Sequence, residues 1–108
     1  MIVPSDFCWL YKMFAYKPAA TDQNRLGIAG FLNEYPNQAD LTKFMSEFHE
    51  DTLDATYDVE YVNGGLYNPN EPGIEGNISI QYASAMAYPV EQAYGIVCNV
   101  ATRSPVCR

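Results

Sequence analysis

The stretch Leu26–Leu32, LGIAGFL, narrows the choice of fold more than any other part of the chain. It is continuously apolar, short, and bounded by polar residues. Such a run fits a strand buried on both faces, as in a parallel sheet. The segment after it has a different period. In NQADLTKFMSEF, Leu41, Phe44, Met45 and Phe48 keep the i, i+3, i+4, i+7 spacing of an amphipathic helix over Asn37–Phe48. Asn37 is placed to cap that helix, with Asp40 three residues on.

The alternation continues down the chain. Ala55–Val62, ATYDVEYV, sets Tyr57, Val59 and Tyr61 against Thr56, Asp58 and Glu60. That is a strand with one wet face, expected near a sheet edge. Asn63, Gly64 and Gly65 close it, and a loop rich in Asn, Pro and Gly runs to Gly73. Ile74–Tyr88 reads as a second helix, with Ile74, Ile78, Tyr82 and Ala85 along one stripe and Pro89 as its stop. Tyr94–Ala101, YGIVCNVA, is a third apolar strand, and Thr102–Arg108 is a tail. Residues 1–25, broken by Pro4 and Pro18, read as an extended arm. The fold class is α/β: a β-α-β-α-β segment over residues 26–101, with parallel strands and right-handed crossovers. Three strands and two helices leave sheet edges and an apolar face uncovered, so the pattern reads as an incomplete part of a larger parallel-sheet domain.

Charge excludes some functions. Thirteen acidic residues against six basic ones give a net charge of -7. Phosphate backbones and anionic lipid heads repel such a surface, so neither nucleic acid nor a membrane is an expected partner. Acidity also suits work at low pH, where carboxylates lose charge and self-repulsion relaxes. No apolar run approaches the ~20 residues of a membrane span. The start, MIVPSDFCWLYKMF, lacks the basic-then-apolar layout of a secretion signal. The three cysteines, Cys8, Cys98 and Cys107, form no metal or redox spacing; buried thiols are expected, with a Cys98–Cys107 bridge as the alternative.

Two stretches carry a family resemblance. One is LYKMFAYKPAATDQNRLGIAGFLNEYPNQADLTKFMSEF, preceded by Val3-Pro4; the other is VNGGLYNPNEPGIEGNISIQYASAMAYP. Together they resemble the mature N-terminal part of the catalytic domain of the sedolisins, the serine-carboxyl peptidases that include tripeptidyl-peptidases. The matching features are an L-Y pair, a Tyr-x-Pro, the strand N-x-L-G-I-x-G-F-L, an A-D-L helix ending in aromatic residues, a V-N-G-G turn, and a helix written G-x-E-x-x-L-D-I-Q-Y. The likeness runs from Val3 to Pro89 and fades after about Gly95.

The resemblance implies a subtilisin-like fold and acid-pH proteolysis by a glutamate acting as general base toward a serine. Glu75 stands at that glutamate position. An aspartate four residues later is implied on the same helix face, where two close carboxylates titrate as a unit and poise the base. Ser79 stands there instead, and a hydroxyl cannot share a proton in that way. The family's oxyanion aspartate, its G-T-S serine and its calcium site are implied only for intact members, so no cofactor is expected here. This chain is expected to be a truncated and inactive serine-type peptidase whose intact relative takes peptide or protein substrates. The parent is expected to be secreted or to act in an acidic, lysosome-like compartment. The alternative is a non-catalytic interaction module that keeps part of the peptidase fold and offers its open sheet edge to a partner.

Each singled-out residue also has a plainer reading. Glu75 suits the positive end of a helix. The sequon Asn77-Ile78-Ser79 is fortuitous within a packed helix. His49 follows a helix end that favours a cation, and lacks a companion ligand. Asp58 and Glu60 form a solvated strand face. Ser84 and Ser104 are ordinary surface or packing serines. Glu34, after the first strand, has no second carboxylate in sequence to build a receiver-type metal site.

Overall fold

The computed structural model describes residues 1–98. Its elements are α1 (Pro4–Leu10), β1 (Arg25–Gly30), α2 (Gln38–Phe48), a 3-10 turn (Glu50–Thr52), β2 (Asp58–Val62), α3 (Ile74–Ala87) and β3 (Glu91–Val97). The strands form one parallel sheet in the order β1-β3-β2. The expected α/β class and parallel sheet are therefore present, and β2 lies at an edge as its alternation indicated. The expected right-handed crossovers do not both hold, because β1→β2 and β2→β3 cross the sheet in opposite directions while α2 and α3 pack on the same face.

The most apolar-looking strand is not the most buried one. β1 is the other edge, and Leu26, Phe31 and Leu32 are exposed. The centre belongs to β3, where Gln92, Ala93, Tyr94 and Ile96 are buried. β3 begins at Glu91, earlier than the expected Tyr94, because parallel pairing with Arg25 of β1 starts there. The remainder of the expected strand, beyond Cys98, and the tail lie outside the described residues.

Strand side chains alternate between faces. Ile28, Val59, Tyr94 and Ile96 meet Leu41 and Met45 of α2 and Ile80 and Ala85 of α3 in a single core. The opposite face is shallow and built of small residues, among them Gly27, Ala29, Ala93 and Gly95. Arg25 reaches across it to Asp58 (3.0 Å) and Glu60 (2.9 Å) on the far edge strand. All three partners are solvent-exposed, so these pairs contribute little to stability.

Two further expectations about the fold need correction. Residues 1–25 are not wholly an extended arm, since Pro4–Leu10 is helical. Proline is tolerated in a first helical turn, where its missing N–H has no partner to lose. The Val3 N–H donates to Asp6 Oδ2 at 2.8 Å and closes that turn. Phe7 then packs edge-on against Tyr82 of α3, and the Tyr82 hydroxyl donates to the Ile2 carbonyl. The second correction concerns α3. Ile74 and Ile78 are exposed, at 80% and 51%, and the buried positions are Gly76, Ile80, Ser84 and Ala85. The helix is turned by close approach at Gly76, where an added Cβ would lie 2.7 Å from the Tyr35 carbonyl carbon.

Candidate functional site

In an open parallel sheet, the loops after the strand C-termini build the functional end. Here those loops are residues 31–37 after β1 and 63–73 after β2, and α3 begins between them. Leu32 and Asn33 both take positive φ, 59° and 60°, which turns the chain sharply as it leaves the strand. The turn brings Glu34 and Tyr35 against the start of α3. Tyr35 and Pro72 form a parallel bridge, and the Gly73 N–H donates to the Tyr35 carbonyl at 2.9 Å.

Glu75 sits in the first turn of α3 and is exposed. Its backbone N–H donates to Glu34 Oε2 at 3.2 Å. Below them, the buried Tyr94 hydroxyl donates to the Glu34 carbonyl at 2.8 Å. Burial, then the nearby charges of Glu75 and Glu34, pushes the Tyr94 phenol up to about 12. Ser79 follows one turn along α3 and is half-buried. The structure thus gives Glu75 an accessible place at the C-terminal end of the sheet. It also brings Glu34, set aside from the sequence for want of a companion carboxylate, to the backbone of Glu75. The pairing spans 41 residues of chain, and no local pattern signals it.

Asn77 ties the site to α2. Its Oδ1 accepts the Asn37 N–H at 2.9 Å, and its Nδ2 donates to Asp40 Oδ2 at 2.7 Å. The amide nitrogen that a sugar would occupy is already engaged, in keeping with a fortuitous sequon. Asn37 in turn caps α2 through Oδ1, accepting the N–H groups of Ala39 (2.8 Å) and Asp40 (3.2 Å). Its Nδ2 donates to the Pro69 carbonyl.

The remaining candidates lie elsewhere. Ser84 is buried and donates to Gln92 Oε1 at 2.8 Å, which makes it a packing serine. His49 ends α2 through its backbone N–H, which donates to the Met45 carbonyl. Cys8 is a free thiol, whereas Cys98 is disulfide-bonded, so the expectation of buried thiols throughout is corrected at Cys98. Ser104 and Cys107 lie outside the described residues. Among the described residues, no cluster of three or more His, Cys, Asp or Glu is arranged to hold a metal, and no helix is long and apolar enough to cross a membrane.

An α/β parallel sheet with an accessible helix-borne glutamate over its C-terminal end is the framework, and sequence comparison supplies the family. The chain is 29% identical over 96 residues to tripeptidyl-peptidase SED4 of Arthroderma otae, covering 87% of this chain and 16% of that protein. It is 31% identical over 77 residues to tripeptidyl-peptidase SED2 of the same organism, covering 69% and 13%. To tripeptidyl-peptidase sed4 of Aspergillus fumigatus it is 29% identical over 93 residues, covering 83% and 15%. The chain is a relative of these sedolisin tripeptidyl-peptidases and spans about a sixth or less of their length. No family model and no solved structure matches it.

Proposed function

We propose that these residues form the N-terminal part of the catalytic domain of a sedolisin-type acid peptidase, with Glu75 at the general-base position. The observation that carries the reading is the place of Glu75. It is exposed, in the first turn of α3, at the functional end of a parallel sheet, within the segments that match tripeptidyl-peptidases. In this reading the sheet is a portion of a subtilisin-like fold, and its uncovered face and edges meet the rest of that domain. The intact protein takes peptides or proteins as substrates. It is secreted or works in an acidic, lysosome-like compartment, where the charge of -7 is partly relieved. Calcium belongs to intact members of the family, and the reading assigns it no ligand among these residues.

Chemically, Glu75 would take a proton from a serine hydroxyl as that oxygen attacks a peptide carbonyl. Ser79 occupies the place of a carboxylate that would share the proton with Glu75. A hydroxyl there has no charge to raise the affinity of Glu75 for the proton. The 108-residue chain by itself, holding one position of the catalytic set, is therefore inactive in this reading. Incubating the pure chain with tripeptide-releasing substrates at acid pH is expected to give no turnover above buffer. Turnover that survives further purification overturns the assignment of the nucleophile to another part of the protein.

A second reading, a non-catalytic interaction module, is favoured by the open face around Gly27, where an added Cβ would meet nothing within 4 Å. A cooperatively melting, monodisperse 108-residue chain supports that reading, and aggregation through the open sheet supports the incomplete peptidase.

A further inference from the structure

We infer that Glu34 is a positioning residue for Glu75. The inference rests on the reading of Glu75 as the general-base position and adds a residue to it. The first N–H groups of any helix lack partners within the helix, and a capping side chain normally satisfies one of them. α2 follows that rule with Asn37. α3 does not, because its N-cap is Gly73 and no capping side chain is present. The first backbone bond within α3 runs from the Asn77 N–H to the Gly73 carbonyl. The Glu75 N–H precedes it, and its acceptor is the carboxylate of Glu34, 41 residues away.

Three further contacts make this arrangement specific. A Cβ on Gly73 would collide with Glu34 Oε2 and lie 2.6 Å from its Cδ, so the carboxylate fills the space that a capping residue would need. Gly76 brings the same turn against the backbone of Glu34 and Tyr35. The Tyr94 hydroxyl fixes Glu34 from below by donating to its carbonyl. Glu34 is thereby held from the sheet side and itself holds the peptide unit from which Glu75 projects. The negative carboxylate also suits the positive end of α3. The site thus keeps a second carboxylate, on the backbone of Glu75 rather than at position 79.

Amide hydrogen exchange, followed by NMR on the 108-residue chain, tests this without any turnover. Glu34→Ala is expected to speed exchange at the Glu75 N–H about fivefold or more, while the Asn77 N–H keeps its protection. Glu34→Gln, which retains an acceptor oxygen, is expected to restore most of the protection. Gly73→Ala provides an independent arm. Its φ of -92° suits alanine, so the added methyl acts on Glu34, displacing its carboxylate and pressing on its Cα at 3.0 Å, and Glu75 exchange should rise with Glu34 still present. Unchanged Glu75 exchange in both Glu34→Ala and Gly73→Ala, or loss of protection in Glu34→Gln equal to that in Glu34→Ala, overturns the inference. If Glu34→Ala does not fold, Glu34→Gln and Gly73→Ala still decide. Failure here leaves the peptidase reading of Glu75 standing, and turnover by the isolated chain would leave the exchange result standing.

Discussion

Helices α2 and α3 pack side by side on the same face of the sheet, and they were built by different rules. In α2 the buried residues Leu41 and Met45 belong to its apolar stripe, and the residue just before it caps it. In α3 the apolar Ile74 and Ile78 face solvent, the buried line runs through Gly76, Ile80 and Ser84, and the cap comes from another loop. α2 could be laid out by hydrophobic periodicity and local hydrogen bonding. α3 takes its rotation from how closely its first turn must approach Glu34 and Tyr35. The proposed general base sits on the helix whose placement depends on its neighbours. That dependence couples the site to the β1–α2 loop and, through Asn77, to the cap of α2.

The comparison can be broken at both helices. Leu41 is fully buried, so Leu41→Ala leaves a cavity in the core that a relaxed neighbour cannot fill; a loss of about 3 kcal/mol is expected in a denaturant melt. A loss below about 1 kcal/mol would mean that α2 does not anchor the core. At α3 the damaging change is an addition. Gly76→Ala sets a methyl 2.7 Å from the Tyr35 carbonyl carbon, which is backbone and cannot swing aside. About 2 kcal/mol of destabilisation is expected in the same melt. A neutral or stabilising result would show that the helix is free to move away, and would remove the reason for its rotation.

The smallest expected effect is an alkaline one. The folded-state pKa of Tyr94 is raised from 10.0 to about 12, chiefly by burial, and burial also raises that of Tyr57, whose hydroxyl bonds to Tyr67. The neutral phenols are what the fold favours, so their contribution is complete below about pH 10 and disappears as pH rises toward the folded values. A decline in stability of about 1 to 2 kcal/mol is expected between about pH 10 and about pH 12, and Tyr94→Phe should roughly halve its slope, the remainder belonging to Tyr57. An equally steep decline in Tyr94→Phe would place the responsible group elsewhere. In acid, where the peptidase reading puts the protein, both phenols are neutral and carry no such penalty.

The candidate site was legible in part. Glu75 was readable because its surroundings, G-I-E and then I-Q-Y, lie within one continuous segment. Asn37 was readable as a cap because its partners, Ala39 and Asp40, are its neighbours in sequence. Glu34, Tyr94 and Asn77 were not readable, because each acts on a partner 37 or more residues away. Likewise, the apolarity of Leu26–Leu32 promised a buried strand and produced an edge, since strand order is not encoded in any single strand.

By itself, the sequence determined the alternation of strands and helices, the capped amphipathic α2, the parallel class of the sheet and the family. All of these rest on spacings of a few residues or on order along the chain. Only the tertiary structure decided that β3 takes the centre, which face α3 buries, and that Glu34 caps the helix carrying Glu75. These outcomes come from steric exclusion and hydrogen bonds between distant segments. They exist only once the backbone of Glu34 and Tyr35 lies against Gly76 and the Glu34 carboxylate lies against Gly73.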